Sequence, residues 1–325
     1  MYLAGDIGGT KTLLGLFEPG RPRPVERLTR SYPTNDYASF GELLAAFAHD
    51  VGERVAVHAA ALGVAGPVIA GTARLTNIAW DIAASEVDAH FPTARATLIN
   101  DLEAMANSIP VLDGGDFEAL QEGEPQPDGN AAVIAAGTGL GQAFLHRVDG
   151  RLRPVASEGG HADFAARTDK EFELVRMLRE RHGRAEIEQV LSGPGLLNIH
   201  RLTHRGGECE MVDGVPEADA PARVTQAGLT GRCQGCSEAL RMFVSAYGAE
   251  AGNLALRGVA TAGLFIGGGI APKIIAALKT GLFMDTFLAK APLRELLERV
   301  PVNVILNPAA GLLGAAVYAQ DTARP

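Results

Sequence analysis

The chain of 325 residues is long enough for one large domain or two smaller ones. Apolar residues make up 47% of the sequence and charged residues 21%, which is typical of an ordinary globular protein. The formal net charge of −9 argues against a nucleic acid or an anionic membrane as the partner, because either would require a basic surface.

No targeting or membrane-spanning segment is predicted. The sequence has no run of about 18 or more apolar residues, which a membrane-spanning helix would need. The first residues, Met1 to Asp6, carry none of the basic side chains that begin a signal peptide. We therefore expect a cytoplasmic protein.

The first predicted elements are two strands joined by a glycine turn. Residues 1–17 contain an apolar run, the turn Asp6-Ile-Gly-Gly-Thr10 and a second apolar run. Glycines in the turn would let backbone N–H groups approach phosphate oxygens, and the Thr10 hydroxyl would add a donor. An ordinary hairpin turn is the alternative. Lys11 is either a phosphate partner or a charge at the strand edge.

A strand-to-helix junction is predicted after a helix over residues 39–51 and a strand over 55–64. Its sequence is Ala96-Thr-Leu-Ile-Asn-Asp-Leu-Glu-Ala-Met-Ala106. Asn100 and Asp101 stand where the strand ends, the position at which open α/β sheets present ligand-binding groups. A carboxylate there can accept a proton from a hydroxyl nucleophile, and the amide can orient that hydroxyl. An Asp that caps the next helix is the alternative.

The layout of the N-terminal hairpin returns at residues 131–145, where Gly137-Thr-Gly139 follows an apolar run. This repetition predicts an internal duplication of one supersecondary unit. Two such turns facing one cleft would suit a triphosphate. The segment 113–130, between the two copies and rich in glycine, proline and acidic residues, is the predicted domain boundary.

Carboxylate and imidazole groups follow in Glu158-Gly-Gly-His161 and at Glu188. Such groups recognise polyols by accepting from paired hydroxyls and returning reciprocal hydrogen bonds. Taken singly, each is more often a surface acid or a loop histidine. Between and after them the pattern predicts a helix over 169–182, a helix opening at 191–195, an exposed polar loop over 205–223 and a helix over 237–257.

The C-terminal part repeats the strand, glycine turn and helix sequence. Residues 263–273 contain Gly267-Gly-Gly-Ile270, which either receives a nucleoside or permits tight packing of a helix on the sheet. A strand over 302–306 and a helix over 309–319 complete the chain. Strands that alternate with helices predict an α/β fold with parallel strands.

The three cysteines, Cys209, Cys233 and Cys236, are too few for a disulfide framework. Cys233-Gln-Gly-Cys236 has the spacing of half a zinc site or of a redox pair. Since no second CxxC and no HxxxH follows it, we expect ordinary structural or surface thiols.

Six ordered motifs, which span essentially the whole chain, resemble those of the bacterial ATP-dependent glucokinase family. They are Asp6-Ile-Gly-Gly-Thr10, Leu98-Ile-Asn-Asp101, Gly137-Thr-Gly-Leu-Gly141, Glu158-Gly-Gly-His161, Glu188 with Val190-Leu-Ser-Gly-Pro-Gly195, and Ile266-Gly-Gly-Gly-Ile270. The resemblance implies the two-domain actin/hexokinase-like (ribonuclease H-like) α/β fold with an active-site cleft between the domains. The small domain would comprise residues 1–111, with a C-terminal helix 302–325 returning to it, and the large domain residues 112–301.

The resemblance also implies an activity, the phosphorylation of glucose at the 6-hydroxyl by MgATP in a cytoplasmic homodimer. Asp101 would be the general base and Asn100 would position a neighbouring hydroxyl. The other hydroxyls would be bound by Glu158, His161 and Glu188. Asp6 would reach Mg²⁺ through water. The ATP-binding residues implied are Gly5, Asp6, Ile7, Gly8, Gly9, Thr10, Gly137, Thr138, Gly139, Gly267, Gly268 and Gly269.

Three alternatives remain beside this interpretation. The same carboxylates and imidazole would serve a kinase for another hexose. A non-catalytic sugar sensor on the same fold would need neither a base at Asp101 nor a metal-organising acid at Asp6, so the presence of both argues against it. The ROK group of sugar kinases and repressors shares two of the motifs, but its cysteine-rich zinc site shortly after the histidine has no counterpart in residues 162–205, which contain no cysteine.

Overall fold

The computed structural model describes residues 1–52, 55–75, 78, 80–92, 95–205 and 207–323. The strands in chain order are β1 (Tyr2–Ile7), β2 (Lys11–Glu18), β3 (Val25–Pro33), β4 (Ala59–Val64), β5 (Val68–Ile69), β6 (Thr72–Arg74), β7 (Asp81–Ala83), β8 (Ala96–Asn100), β9 (Phe117–Gln121), β10 (Ala131–Ala136), β11 (Leu140–Val148), β12 (Arg151–Ser157), β13 (Gly263–Gly267) and β14 (Val302–Ile305).

The α-helices in chain order are α1 (Phe40–Val51), α2 (Glu86–His90), α3 (Asp101–Ser108), α4 (Asp169–His182), α5 (Gly193–His204), α6 (Ala220–Thr230), α7 (Gln234–Gly258), α8 (Ile275–Leu278), α9 (Leu282–Leu288), α10 (Arg294–Glu298) and α11 (Ala310–Thr322). Short 3-10 helices lie at Thr34–Asp36, Ile109–Val111, Gly114–Asp116, Gly159–His161 and Ala271–Ile274. Among the described residues, no helix has both the length and the apolar character needed to span a membrane.

The chain divides into two compact units. The first comprises Met1–Asp116, Arg153–Ala156 and Asn307–Pro325, and the second comprises Phe117–Leu152 and Ser157–Leu306. The C-terminal helix that the family resemblance implied at residues 302–325 begins later, in agreement with the strand over 302–306 and the helix over 309–319 that the local pattern predicted. Its first residues form strand β14 within the sheet of the second unit, and the helix itself begins at Ala310.

The five-stranded sheet of the first unit has the strand order β3-β2-β1-β4-β8. Strand β1 pairs antiparallel with β2 and parallel with β4, which in turn pairs parallel with β8. Side chains alternate along β1, so that Leu3 and Ile7 pack in the cluster that includes α1. Tyr2 and Ala4 pack on the opposite face with residues of α3 and α11. Asp6 continues this second series toward the α11 face.

The six-stranded sheet repeats this arrangement with the order β12-β11-β10-β13-β14-β9, and all of its strands except β12 lie wholly in the second unit. Strand β10 pairs antiparallel with β11 and parallel with β13, just as β1 pairs with β2 and β4. The predicted duplication therefore appears in both the strand order and the strand directions. Strand β9, which pairs antiparallel with β14, is an addition at the edge. It lies inside segment 113–130, the predicted domain boundary.

Helix α7 forms the centre of the helical layer in the second unit. Its side chains Phe243, Tyr247 and Leu254 are fully buried. The Tyr247 hydroxyl accepts a hydrogen bond from the backbone N–H of Ala136 at 3.3 Å and donates to the carbonyl oxygen of Ile134 at 3.4 Å. These bonds attach the helix to β10 just before the glycine turn.

The segment 205–223 is not the fully exposed loop that we expected. Cys209 within it is only 4% exposed, and helix α6 begins at Ala220. The polar composition of the segment correctly predicted that most of its residues are exposed or half-buried. It could not predict the burial of Cys209, because one thiol hardly changes the average polarity of a loop. Contacts with other parts of the chain decide its burial.

Helices α3 and α11 approach each other closely at Gly314. A Cβ atom added to Gly314 would lie 1.7 Å from the carbonyl oxygen of Ala104. We expect Gly314→Ala to lower the free energy of unfolding of the first unit by more than about 2 kcal/mol, since backbone atoms would have to move apart. Denaturation followed by fluorescence measures this, because Trp80 is the single tryptophan and is buried in the first unit.

Gly41→Ala is the matched control for this substitution. Gly41 is also helical, but a Cβ atom there would lie 3.5 Å from its nearest neighbour, an ordinary contact. Alanine favours helix by up to about 1 kcal/mol over glycine, so this variant should be as stable as the parent or slightly more so. Equal stability of the two variants would show that the helices separate without cost.

Candidate active site

The strand-to-helix junction predicted at residues 96–106 is present as β8 followed by α3. Asn100 is the N-cap, and its Oδ1 accepts hydrogen bonds from the backbone N–H groups of Leu102 at 2.9 Å and Glu103 at 3.3 Å. Its Nδ2 donates to the carbonyl oxygen of Gly66 at 3.3 Å. The capping role that we considered for Asp101 therefore belongs mainly to Asn100.

Asp101 is the first residue of α3 and is half-buried. Its Oδ1 accepts a hydrogen bond from the backbone N–H of Leu102 at 2.9 Å. The positive end of the helix dipole stabilises a carboxylate at this position. The junction thus holds one amide in a fixed orientation and a carboxylate directly beside it.

Asp6 lies near the end of β1, with its carboxylate against the start of α11. A Cβ atom on Gly311, the second residue of α11, would lie 2.6 Å from Asp6 Oδ2. Only glycine leaves room for the carboxylate at this point. Burial raises the pKa of the Asp6 carboxyl to about 6, and the positive charge of Lys11 opposes the rise.

The turn after β1 is held by hydrogen bonds at its base. The backbone N–H of Gly8 donates to the carbonyl oxygen of Lys11 at 3.1 Å, and the buried Thr34 hydroxyl donates to the carbonyl oxygen of Gly8 at 2.9 Å. Gly9 is half-buried, and Thr10 is exposed. Gly5 and Ile7, which we also assigned to phosphate binding, lie in the buried part of β1, so only their backbone atoms can meet a ligand.

The second glycine turn joins β10 to β11 at Gly137-Thr-Gly139. The N–H of Gly137 donates to the carbonyl oxygen of Gly139 at 2.8 Å. The carboxylate of Glu188 lies against this turn, since its Oε2 accepts from the N–H of Leu140 at 2.8 Å. A Cβ atom on Gly139 would lie 2.6 Å from the same oxygen, so glycine is required there for the carboxylate to approach.

Glu188 also meets the loop that carries His161. The backbone N–H of Glu188 donates to the carbonyl oxygen of Gly160 at 2.9 Å. His161 follows in the same 3-10 turn, and exposed Glu158 precedes it. Three of the four predicted sugar-binding residues, Glu158, His161 and Glu188, therefore belong to one cluster in the second unit.

Glu186 orients the imidazole of His161 within this cluster. His161 Nδ1 lies 2.9 Å from Glu186 Oε2. This hydrogen bond is the largest cause of a raised pKa at His161, burial opposes the rise, and the charges of Glu188, Glu186 and Glu158 add to it. With Nδ1 directed at Glu186, the imidazole presents Nε2 to a ligand.

The glycines of Gly267-Gly-Gly269 have different surroundings, since Gly268 is tightly packed and Gly269 faces open space. Gly268 has φ of +83°, and a Cβ atom there would lie 2.3 Å from the carbonyl oxygen of Ala136. Gly269 is exposed, and nothing among the described residues lies within 4 Å of the corresponding Cβ position. The following helix is the short 3-10 turn Ala271–Ile274 rather than the regular helix start that we expected.

A family model described as Glucokinase matches residues 3–322 of this chain. The chain belongs to the glucokinase family. A glucokinase from Synechocystis sp. (strain ATCC 27184 / PCC 6803 / Kazusa) is 38% identical over 348 residues, covering 99% of this chain and 98% of its own length. The family resemblance inferred from the six motifs is confirmed.

Solved structures give the same result at the level of the fold. A glucokinase from an Antarctic psychrotroph is 31% identical, with a TM-score of 0.84, and covers 98% of both chains. A ROK family glucokinase from Streptomyces griseus, solved with glucose and AMPPNP, is 21% identical with a TM-score of 0.68 and covers 98% of this chain and 99% of its own. The actin-like fold class predicted from the sequence is confirmed.

Two residues of the candidate site, Glu186 and Gly311, were not predicted from the sequence. Glu186 stands two positions before Glu188, and only this proximity to a predicted sugar ligand would have indicated it. Gly311 is far from Asp6 in sequence, and no local pattern marks its role. Both act on groups that the motifs do identify, by orienting His161 and by leaving space for the carboxylate of Asp6.

We expect Glu186→Gln to lower the pKa of His161, since the substitution removes a negative charge and the strongest acceptor of the imidazolium N–H. Titration of the His161 ring followed by NMR measures this change. Asp163→Asn is the matched control, because exposed Asp163 pairs with Arg184 and not with His161. A similar change in both variants would indicate a general loss of negative charge instead of the specific hydrogen bond.

Proposed function

We propose that the chain phosphorylates D-glucose at the 6-hydroxyl with MgATP, giving glucose 6-phosphate and ADP. The observation that supports this most directly is the position of Glu188. Its carboxylate accepts the N–H of Leu140 at the end of a glycine turn, and its backbone N–H bonds to the loop that carries His161. The Glu188 carboxylate, which suits sugar hydroxyls, is thereby held against the turn at Gly137–Gly139, which suits phosphate. Phosphoryl transfer depends on such relative positioning of the acceptor and the phosphate.

Asp101 acts as the general base in this proposal. Its carboxylate accepts the proton of the 6-hydroxyl while that oxygen attacks the γ-phosphorus of ATP and the bond to the β–γ bridging oxygen breaks. The transition state of phosphoryl transfer is loose, so the proton leaves late and Asp101 needs no raised pKa. Asn100 has a second N–H on Nδ2, beyond the one given to Gly66, with which to hold a neighbouring hydroxyl.

Glu158, His161 and Glu188 bind the remaining hydroxyls. Glu188 Oε2 is engaged by Leu140, which leaves Oε1 to accept from the sugar. Glu158 is exposed and can accept from two adjacent hydroxyls. Glu186 holds His161 so that Nε2 meets the sugar in a fixed orientation. Several hydrogen bonds fixed in this way would favour one arrangement of hydroxyls over its epimers.

The two glycine turns and Gly267–Gly269 bind ATP in this proposal. Gly137 and Gly269 are open at the Cβ position, and backbone N–H groups at such turns suit phosphate oxygens. Asp6 fits a role beside Mg²⁺, because its carboxylate is confined against α11 and burial disfavours its charge unless a cation is near. When bound, Mg²⁺ supplies positive charge to the phosphate oxygens.

The wider proposal covers the setting of the reaction. The enzyme works in the cytoplasm as a glycolytic homodimer, with one domain at residues 1–111 and a second at 112–301. This part rests on membership of the glucokinase family. The relatives and structures named above supply the analogy, and the contacts within each unit supply the residue roles.

The first test is steady-state phosphorylation of glucose, mannose, fructose, galactose and N-acetylglucosamine with MgATP, by the parent and by Asp101→Asn. We expect a preference for glucose and a loss of about 10²- to 10⁴-fold in kcat for the variant, because the amide cannot accept the proton. Calorimetry should show that glucose binding to the variant changes far less than kcat.

Glu103→Gln is the control for this substitution. Glu103 is a half-buried carboxylate in the same first turn of α3, and the proposal gives it no catalytic role. Its kcat should stay within a few-fold of the parent. Near-normal kcat in Asp101→Asn would exclude Asp101 as the base. Binding of glucose without turnover by the parent on any of the five sugars would favour the sensor.

A second test concerns the space around Asp6. We expect Gly311→Ala to reduce kcat/KM for MgATP by at least about tenfold, because the new methyl group would displace the carboxylate. Calorimetric glucose binding should change little. Gly41→Ala, in α1, is the control and should keep the parental kcat/KM. If Gly311→Ala retained full activity with MgATP, the position of Asp6 would not matter to nucleotide use.

A further inference from the structure

All three cysteines of the chain meet two histidines in the second unit. The Sγ atom of Cys209 lies 3.9 Å from that of Cys233 and 3.8 Å from that of Cys236. His204 Nε2 lies 3.2 Å from the Sγ atom of Cys233. One donor atom from each of His200, His204, Cys209 and Cys236 lies within 4.8 Å of the others. We call these five residues the Cys/His cluster.

The spacing of the donor atoms suits a tetrahedral metal ion. With Zn–S bonds of about 2.3 Å, two sulfur ligands at a tetrahedral angle lie about 3.8 Å apart. The two sulfur–sulfur distances from Cys209 have this length. Thiolate and imidazole ligands together are the combination that selects zinc among the common divalent ions of proteins.

Hydrogen bonds prepare His204 to act as a ligand through Nε2. His204 Nδ1 lies 3.0 Å from the carbonyl oxygen of His200, and since a carbonyl oxygen can only accept, Nδ1 carries the proton. The lone pair of Nε2 is then directed at the thiols. A ligating histidine nearly always donates its other ring N–H to a carbonyl or carboxylate in this way.

His200 supplies a second and independent observation. The residue is only 8% exposed, and within the described part of the chain its Nε2 has no hydrogen-bond partner. A buried imidazole nitrogen without a partner is costly. Its ring stacks on that of His204, with ring centroids 3.9 Å apart. Next to a metal-bound thiolate, His200 would find the negatively charged acceptor that its N–H needs.

Two of these cysteines lie at the start of α7. Cys233 is the N-cap of α7 and Cys236 lies in its first turn. The positive end of the helix dipole stabilises negative charge there. Cys209 comes from the segment between α5 and α6, and His200 and His204 lie one turn apart on α5. The cluster therefore joins three parts of the chain that are separate in sequence.

We propose that Cys209, Cys233, Cys236 and His204 bind one structural Zn²⁺ ion, with His200 as a hydrogen-bond donor to a thiolate ligand. The site goes beyond the proposed sugar kinase activity and does not rest on it. Zinc binding would replace three thiol protons and fix the end of α5, the segment after it and the start of α7 to one another.

The experiment uses the full chain, produced with zinc in the medium and purified under a phosphine reductant. Metal analysis should find about one zinc per chain. After exchange to Co²⁺, the protein should show the visible bands of tetrahedral cobalt and a sulfur-to-cobalt charge-transfer band. A strong zinc chelator should lower the melting temperature of the parent, because metal binding stabilises only the folded state.

Cys233→Ser and His204→Gln are the test variants, since both side chains are only partly buried and folding is more easily retained. Each should hold less than about a third of the parental zinc after dialysis against a competing chelator. His182→Gln, at the exposed end of α4, is the control and should retain all of it. Circular dichroism and the melting temperature without chelator show which variants are folded.

Three results would overturn the proposal. The first is a folded, reduced parent protein with less than about a tenth of a zinc per chain and no tetrahedral cobalt spectrum. The second is full zinc retention by folded Cys233→Ser and His204→Gln. The third is a disulfide between two of the cysteines, detected by mass spectrometry of protein isolated without reductant, which would indicate a redox pair instead.

Discussion

The parallel pairing of β1 with β4 and of β4 with β8 is the constraint on which the first unit's functional groups depend. In this register Ile7 lies opposite Val64, and Val64 lies opposite Asn100. The carboxyl ends of the three strands therefore share one edge of the sheet, where Asp6 and Asp101 both stand. Gly63 lets α3 pack closely on this sheet. A Cβ atom at this position would lie only 2.8 Å from the Cβ of Ala104, so any larger residue would push α3 away from β4.

The second unit uses the same pairing for a different purpose. Strand β10 ends in a glycine turn, as β1 does, but strand β14, which has the position of β8 in the strand order, is followed by Leu306 and Asn307 and not by a carboxylate. The acidic groups come from elsewhere, through Glu188 and the loop with His161. One duplicated framework thus supports the carboxylates of Asp6 and Asp101 in one unit, for which we propose the roles of metal-organising acid and base, and in the other unit the groups that we propose to bind the sugar.

Local patterns in the sequence predicted most of the fold and the main candidate site residues. Neighbouring residues determine each of these elements, so the local sequence predicts them. They are the two hairpins, the junction at Asn100 and Asp101, and the helix over 169–182. Contacts between distant segments were not predictable in this way. Gly311 beside Asp6 is such a contact, and so is the Cys/His cluster, in which the HxxxH spacing of His200 and His204 precedes the CxxC on another helix.

The Cys/His cluster and the glycine turn at Gly137 are connected through a single helix. The cluster holds the first turn of α7, and three turns further on the buried hydroxyl of Tyr247 bonds to the backbone of β10 at Ala136. The carbonyl oxygen of Ala136 in turn accepts from the N–H of Ile270 at 3.2 Å, directly after Gly267–Gly269. A fixed start of α7 would therefore help to hold the turn at Gly137 and the turn at Gly267–Gly269 in position. Because Tyr247 is itself packed between Phe243 and Phe283, the turns would keep much of their geometry from the core alone. Removal of the proposed Zn²⁺ should accordingly destabilise the C-terminal end of α5 and the N-terminal end of α7 first. Nucleotide binding should weaken only after that.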